Sequence, residues 1–584
     1  MKLIDALSII QKRPGPEVEQ FRVALVCGFT PLHLQTYLHA ELQQLFPAQR
    51  VELTPGVYGD IPGTLSALKR GELQNFAGAP VDALALVLEW SDIDARLGTR
   101  QLGGWGPGNL NSVVDHATTW LAQLQLLVAE LSHSVPIALS LPSLPLPPLF
   151  FTAGQQAGYF ELKLKEQLAA FAASIAHRVR VLSEQRLDRD SPWTQRLSIK
   201  SEWASGFPYQ LAHASALAHL LAQIIRNPLP KKGLITDLDN TLWNGIVGEV
   251  GAQEINWDLD HNSQAYGVYQ QMLQTLSDEG VLIGVVSKNE PAVVEEAFRR
   301  DDLLLSRDKI SLLDVSWGSK AKAVSQILGV WNVGGDSVVF VDDSPLELAE
   351  VKTAHPDLEC IRFPEGDPEA IYELLVHLRD LFGKGIISEE DQLRQESIRN
   401  SATLRLASDD SEGFSEVLLE QAKAELIFSF RKDAEDSRAF ELINKTNQFN
   451  LNGKRFTEAA WRNYLHEPNT FLLTASYKDR FGALGKIAVM AGRLENSEVF
   501  VDTWVMSCRA FARRIEHQCL SALFSRFAAP QITFDYVETP RNGPTARFFS
   551  DVLKESPESA VPISQISFAA ACPKLFHRVV VLDS

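Results

Sequence analysis

Cysteine and methionine are scarce in this chain, five and four among 584 residues. So few cysteines over such a length cannot form a disulfide framework, and the protein reads as reduced and cytoplasmic. No stretch runs about 18 apolar residues without a charge, which argues against a membrane-spanning helix. The opening MKLIDALSIIQKRPG lacks an apolar segment followed by a small-residue cleavage site. Positive charge is also short. Lys and Arg number 55 against 73 Asp and Glu, a formal charge of −18. A general nucleic-acid surface is therefore not expected, because phosphate backbones need clustered cations. Internal repeats and low-complexity tracts are missing too. What is present is ordinary globular composition, 45% hydrophobic and 22% charged, at a length that calls for several domains.

The first 230 or so residues alternate apolar runs with amphipathic stretches. Residues 21–29 (FRVALVCGF), 81–90 (VDALALVLEW) and 135–141 are nearly continuous apolar runs, as expected of strands buried on both faces of a parallel sheet. Helical patterns at 33–46, 111–132, 159–178 and 210–226 complete βαβ units, so a doubly wound α/β fold is expected. The run NPLPKK at 227–232 marks a boundary. A second α/β segment follows, with strands at GLITDLDNT, VLIGVVSKN and SVVFVDDSP and helices at 262–279, 291–300 and 320–328. Polar sequence at 386–412 forms a junction, partly helical. The last segment reads as α+β, with strands at 424–431, 470–477, 485–491, 498–506 and 531–537 and helices at 437–444, 509–528 and 545–552. The expected domains are 1–228, 229–385 and 386–584.

Chemistry concentrates in the second segment. Asp237 and Asp239, in DLDNT, close an apolar strand, where open α/β sheets bind ligands. Two carboxylates just beyond such a strand can divide the roles of nucleophile and acid/base. Ser287 ends a second apolar strand. Lys320 begins a helix, where its ammonium and the helix amides suit an anion. Asp342 and Asp343 end a third strand. Acids this dense repel one another unless a hard cation neutralises them, and Mg²⁺ with oxygen ligands fits that need.

These stretches, with LDNTLWNGIVGE, VVSKN, WGSK and VFVDDSP quoted together, resemble the haloacid dehalogenase (HAD) superfamily, and in detail its FkbH-like branch, phosphatase subfamily IIIC. The resemblance implies that Asp237 is the nucleophile and Asp239 the general acid/base. Thr241 and Ser287 would hold phosphoryl oxygens and Lys320 would neutralise charge. Asp237, the Asp239 carbonyl and Asp343, with Asp342, would surround Mg²⁺. The interval from Asp237 to Ser287 is too short for a large cap domain, so WNGIVGEVGAQEINWD would form only a small flap and leave the site open to a bulky or tethered substrate.

In the last segment, Cys508 precedes RAFARRIEHQCLSALFSRF, an amphipathic run whose apolar stripe includes Phe511, Ile515, Leu523 and Phe527. On this reading Cys508 sits at a helix N-terminus beside Arg509, Arg513 and Arg514, which favours a thiolate. Cys27, Cys360, Cys519 and Cys572 read as inert. INKTNQFNLNGKR, DTWVMSCRAFARRIE and ETPRNGPTARFF look like the GNAT-like acyltransferase domain of FkbH-like proteins. That likeness implies a glyceryl-type acyl group, taken from an acyl phosphate such as 1,3-bisphosphoglycerate. Cys508 would carry it to the phosphopantetheine thiol of an acyl carrier protein in secondary-metabolite assembly. GNAT phosphate loops favour glycines where this chain has Ala512 and Arg514, which argues against ordinary acetyl-CoA binding. Carrier docking is expected at Arg509, Arg513 and Arg514, since carriers are themselves acidic.

The first segment, with LEWSDIDARLG, looks like the SGNH-hydrolase-like region of longer FkbH-like proteins. Its first strand ends in Cys27-Gly28-Phe29-Thr30 where a hydrolase needs Gly-Asp-Ser, so a noncatalytic docking or lid role is expected. The competing reading is a Mg²⁺-dependent phosphatase acting on a sugar phosphate or phosphoprotein, with a third domain that only binds substrate.

Overall fold

The computed structural model describes residues 1–72, 80–385, 387, 416–480, 482–495, 498–507, 510–511, 513–557 and 559–582. The chain forms two compact units. One is Met1–Pro228 with Phe456–Glu467, the other Leu229–Arg455 with Pro468–Ser584.

In the first unit, β1 (Gln20–Val26), β2 (Arg50–Pro55), β3 (Ala83–Val87), β4 (Ile137–Ser140) and β5 (Arg180–Val181) form a parallel sheet in the order β2-β1-β3-β4-β5. Strand residues point alternately to opposite faces. Val23 and Leu25 of β1 therefore pack with helices Leu32–Leu45 and Leu211–Arg226, while Ala24 and Val26 pack with Leu110–Leu131 and Tyr159–Ile175. Both faces are covered, which explains the unbroken apolar runs. Helix Glu458–His466 belongs to this unit. Glu458 pairs with Arg180 and accepts from Asn227 Nδ2 at 3.2 Å, and Arg462 donates to the Ser132 carbonyl.

The second unit holds two sheets. The first comprises β6 (Gly233–Thr236), β7 (Leu282–Ser287), β8 (Ile310–Val315), β9 (Val338–Asp342) and β10 (Glu359–Arg362), all parallel, in the order β10-β9-β6-β7-β8. Two apolar cores flank it, one through Leu234, Ile283 and Val339, the other through Ile235, Leu282 and Phe340. Between β6 and helix Gln264–Asp278 the described structure contains only the short helix Val247–Val250, a small flap of the expected size.

The other sheet contains β11 (Glu425–Ser429), β12 (Phe449–Asn450), β13 (Thr470–Asp479), β14 (Gly482–Glu495), β15 (Glu498–Met506), β16 (Gln531–Phe534), β17 (Val561–Ser564) and β18 (Arg578–Leu582). Their order is β17-β16-β15-β14-β13-β11-β18, with β12 beside β15. Strands β13 to β15 form an antiparallel meander, whereas β16 lies parallel to β15 after helix Ile515–Phe527. Only Val499–Val501 of β15 pair with β16, and Val505 and Met506 pair instead with β12.

One expected boundary is corrected. The helix predicted from Arg509 begins at Ile515, because Arg514 takes a left-handed backbone (φ 59°) that interrupts helical geometry. Cys508 and Arg509 lie outside the described residues, as does nearly all of 386–412.

Trp331 makes Gly233 indispensable. A Cβ at Gly233 would sit 2.4 Å from Trp331 Cζ3, and the indole is 2% exposed, with its N–H donating to Ser311 Oγ at 3.0 Å. Gly233→Ala is expected to destabilise the protein by roughly 1–3 kcal/mol, measured as a lower midpoint of chemical denaturation.

Candidate active site

Three adjacent strands, β9, β6 and β7, bring Asp342, Asp237 and Ser287 to one edge of their sheet, the carboxyl ends. The connection after β8 returns to the other side of β6, so the crevice at this edge lies where the strand order reverses. Asp237 extends β6, its amide donating to the Val341 carbonyl of β9 at 3.0 Å. The chain then turns tightly. Asn240 adopts φ 50°, tolerable for asparagine, and its Oδ1 accepts from Gly245 N at 3.1 Å. Lys320 is the first residue of helix Lys320–Trp331, which Ser319 caps through its side chain.

Lys320 is the hub of the site. Its Nζ lies 2.9 Å from Asp237 Oδ1, 2.7 Å from Asp342 Oδ2 and 2.7 Å from Glu347 Oε2. The ammonium and both aspartates are buried, at 4%, 6% and 0% exposure for residues 320, 237 and 342. Burial works against the lysine's charge, but Asp237 and Asp342 prevail and raise its pKa. Burial pushes Asp237 up to about 7, with Lys320 opposing and Asp342 adding. Asp342 is also raised, by burial against the pull of Lys320, and its Oδ1 accepts from Ser344 N at 2.9 Å. Burial likewise raises half-buried Asp343. Glu347 moves the other way. Its burial is outweighed by Lys320 and by Lys288, whose Nζ lies 3.0 Å from it.

Asp237, Asp342 and Asp343 can each point one carboxylate oxygen to within 4.8 Å of the others, an all-oxygen set suited to a hard divalent cation. Asp239 stands apart from that trio. Its Oδ1 accepts from Trp243 Nε1 at 2.9 Å and Val247 N at 3.0 Å, and its Oδ2 from Asn289 Nδ2 at 2.8 Å. Asn289 also donates to Ser287 Oγ at 3.1 Å. Thr241 Oγ1 is buried without a hydrogen-bond partner, a group left ready for a bound oxygen. The site thus gathers Asp237, Asp239, Thr241, Ser287, Lys320, Asp342 and Asp343 at one sheet edge. Sequence reasoning missed Glu347, Asn289 and Trp243. Trp243 and Asn289 lie inside the quoted stretches LDNTLWNGIVGE and VVSKN, and Glu347 two residues past VFVDDSP, so their place in or beside those stretches was the available signal.

The expected docking arginines are placed otherwise. Arg513 is 9% exposed, its guanidinium 5.5 Å from the Tyr477 ring centroid and its Nε 4.0 Å from Asp479. Arg514 donates to the Lys574 carbonyl at 2.7 Å and to Glu416 at 2.9 Å. Neither presents an open cationic surface to a partner. Cys27 and Cys519 are buried, and burial raises both thiols.

The first unit holds a serine–histidine pair that the sequence did not reveal. His213 Nε2 lies 3.0 Å from Ser143 Oγ and its Nδ1 3.0 Å from Ser191 Oγ. Ser143 donates to Glu89 Oε1 at 2.7 Å, so the hydroxyl proton points away from the imidazole. Burial, then Arg196, pushes His213 down to about 3, leaving the ring neutral. Ser143 and His213 are 7% and 0% exposed, so the pair is closed off from solvent. At Gly28, just beyond β1, a Cβ would lie 2.0 Å from Asp92 Oδ1.

Removing Lys320 charge exposes the cost of the cluster. Lys320→Met leaves carboxylates buried without their cation, an expected loss of about 3–5 kcal/mol. The remaining acids gain folded-state pKa values above their unfolded ones, so they bind more protons folded than unfolded. Stability is therefore retained at low pH and lost as pH rises through the folded pKa. Thermal melts of the variant should approach wild type at pH 5 and fall furthest below it at pH 8.

No family model and no curated protein matches the chain. Among solved structures, the N-terminal part of BF1531 from Bacteroides fragilis, containing a phosphatase domain and complexed with Mg, aligns with a TM-score of 0.51 at 19% identity, over 66% of this chain and 99% of that one. The HAD family enzyme bt-2542 from Bacteroides thetaiotaomicron, in complex with magnesium and inorganic phosphate, gives a TM-score of 0.18 at 12% identity over 24% of this chain and 96% of that one. An uncharacterized protein from Corynebacterium glutamicum gives 0.19 at 18% over 26% and 98%. These last two are too dissimilar to argue from. The first likeness is one of fold, and this chain shares the α/β architecture of a protein part that contains a phosphatase domain.

Proposed function

We propose that the chain is a HAD-type, Mg²⁺-dependent phosphoryl-transfer enzyme with Asp237 as nucleophile. The observation that carries this reading is Asp237 itself, buried at the end of the central strand, ion-paired with Lys320 and flanked by Asp342 and Asp343. An Asp237 oxygen attacks phosphorus, the bond from phosphorus to the leaving oxygen breaks, and an aspartyl-phosphate forms. Asp239, fixed by Trp243, Val247 and Asn289, gives the leaving oxygen its proton and then takes one from the water that releases phosphate. Thr241 and Ser287 donate to the phosphoryl oxygens, and Lys320 balances their charge. The donor set of Asp237, Asp342, Asp343 and the Asp239 carbonyl fits Mg²⁺, which when bound supplies a Lewis-acidic counter-charge to the phosphoryl group. The phosphatase domain and Mg named for the Bacteroides fragilis structure support the same reading.

In its finer form, residues 229–385 are the HAD-like domain, 386–584 a GNAT-like acyltransferase domain and 1–228 a noncatalytic SGNH-like domain. The antiparallel β13–β15 meander with a parallel β16 supports the second assignment, and the buried Ser143–His213 pair supports the third. The substrate is an acyl phosphate resembling 1,3-bisphosphoglycerate, and the acceptor is the phosphopantetheine thiol of an acyl carrier protein, reached through Cys508. Bond balance constrains the coupling. Cleavage between phosphorus and oxygen at the acyl phosphate would leave a carboxylate that cannot form a thioester. The Cys508 thiolate must instead attack the acyl carbon and expel that phosphate, while Asp237 removes the phosphate ester. A plain phosphatase acting on a sugar phosphate or phosphoprotein is the second reading. It gains from the late helix start at Ile515, which takes the expected helix terminus away from Cys508.

Asp237→Asn is expected to reduce phosphate release to background while circular dichroism stays that of wild type; retained release would overturn the nucleophile. Because Asp237 is raised to about 7 and must lose its proton to bind a cation, Mg²⁺ affinity measured by calorimetry should be weaker at pH 6 than at pH 8. Incubation with 1,3-bisphosphoglycerate should add the mass of a glyceryl-type acyl group to the wild type and none to Cys508→Ala. Phosphate release without any adduct would favour the plain phosphatase.

A further inference from the structure

The first unit carries a cleft of about 200 Å³ that phosphoryl transfer at Asp237 does not use. It lies beyond the carboxyl ends of β3 and β4, among residues 89–91 and 97–99, the proline-rich segment 144–151 and residues from 193 to 208. Its place is one strand removed from the gap between β1 and β3, where the strand order of this sheet reverses. Leucines and prolines make most of the wall, among them Leu97, Leu144, Leu146 and Pro208. Phe151 and Trp193 also line it, and both rings are more than half exposed. Two such rings on one cleft form an apolar surface that a ligand can cover.

Charge in the cleft is of one sign. None of the described residues that line it is Lys, Arg or His, and two are acids, Glu89 and Glu202. Glu89 is fully engaged. Its Oε1 accepts from Ser143 Oγ and Tyr209 Oη, both at 2.7 Å, and its Oε2 from Leu144 N at 3.1 Å. Glu202, on helix Ile199–Ser205, differs. Its Oε2 is buried with no hydrogen-bond partner among the described residues. Burial raises its pKa with the charge of Arg100 opposing, while the hydrogen bond of Arg100 goes to Tyr58 Oη at 3.3 Å. A carboxylate held short of donors beside apolar walls is costly, and a bound cation offsets that cost.

We propose that this cleft binds a small free amine in its protonated form, the ammonium donating to the Glu202 carboxylate and a short carbon chain lying along the leucines, the prolines and the Phe151 and Trp193 rings. An anion is repelled by both acids. A neutral alcohol supplies a hydrogen bond but leaves the charge unbalanced, and an apolar molecule supplies neither. The volume equals that of about seven waters. It admits an amine of a few carbons whole, which favours a free amine over the side chain of a protein partner. The site belongs to the first unit and stands whether or not Asp237 is a nucleophile.

Calorimetric titration of the full chain with n-pentylamine, pentan-1-ol and Nα-acetyl-lysine N-methylamide tests this, in an amine-free buffer at about pH 7, where alkylamines are protonated. Pentylamine should bind saturably, and pentan-1-ol about tenfold more weakly or less. Glu202→Gln keeps the size of the side chain and removes its charge. It should weaken pentylamine about tenfold, leave pentan-1-ol binding as in wild type and leave the circular dichroism unchanged. No saturable binding of pentylamine, equal binding of pentan-1-ol, or unaltered affinity in Glu202→Gln would overturn the assignment. Tighter binding of the lysine derivative than of pentylamine would overturn the choice of a free amine.

Discussion

The second unit depends on one ammonium group. Lys320 faces three carboxylates within hydrogen-bonding distance in a place from which water is largely withdrawn. Buried charges pay a heavy desolvation penalty, and an isolated pair recovers it only with close geometry and further hydrogen bonds. Here the geometry is supplied by the sheet. Asp237 and Asp342 meet because β6 and β9 are neighbours, and Glu347 completes the set from the helix that starts at Pro345. The result is a group of acids fixed before any ligand arrives, with Lys288 holding the far side of Glu347. A surplus of negative charge remains at Asp343, and that surplus is what a divalent cation would complement.

The same constraint explains how unequally the sequence could be read. Central strands announced themselves. Those ending at Val26, Val87, Ser287 and Asp342 are buried on both faces and so appear as unbroken apolar runs. The overlooked strands are, with the exception of the two-residue β12, the outer ones. β2 and β5 edge the first sheet, β8 and β10 the second, and β17 and β18 the third. Edge strands have one uncovered flank and carry charges or prolines, as in RVELTP or ECIR, which weakens their pattern. The functional residues divide in the same way. Those at the ends of central strands, Asp237, Ser287 and Asp342, were legible. Glu347 and Asn289 were not, because a carboxylate or amide a few residues past a strand looks like any solvated residue until tertiary structure turns it inward.

The helix after β15 shows the limit of periodicity. Its apolar stripe from Phe511 to Phe527 is real, and Ile515, Leu523 and neighbouring residues are buried as the pattern requires. Periodicity reports which face is covered, however, not where hydrogen bonding begins. A single left-handed residue at Arg514 separates two segments that share one hydrophobic face. The ion pairs and carbonyl contacts of Arg513 and Arg514 then use up charges that, in a linear sequence, looked available.

Helix Glu458–His466 leaves the first unit discontinuous, with one of its pieces encoded some 230 residues after the rest. During synthesis the five-stranded sheet emerges early, while Arg180, Asn227 and the Ser132 carbonyl still lack the residues that will bind them. Completion of the first unit therefore waits on translation of the whole β6–β10 sheet and of β11 and β12 after it, and the order of emergence from the ribosome ties the maturation of one body to that of the other.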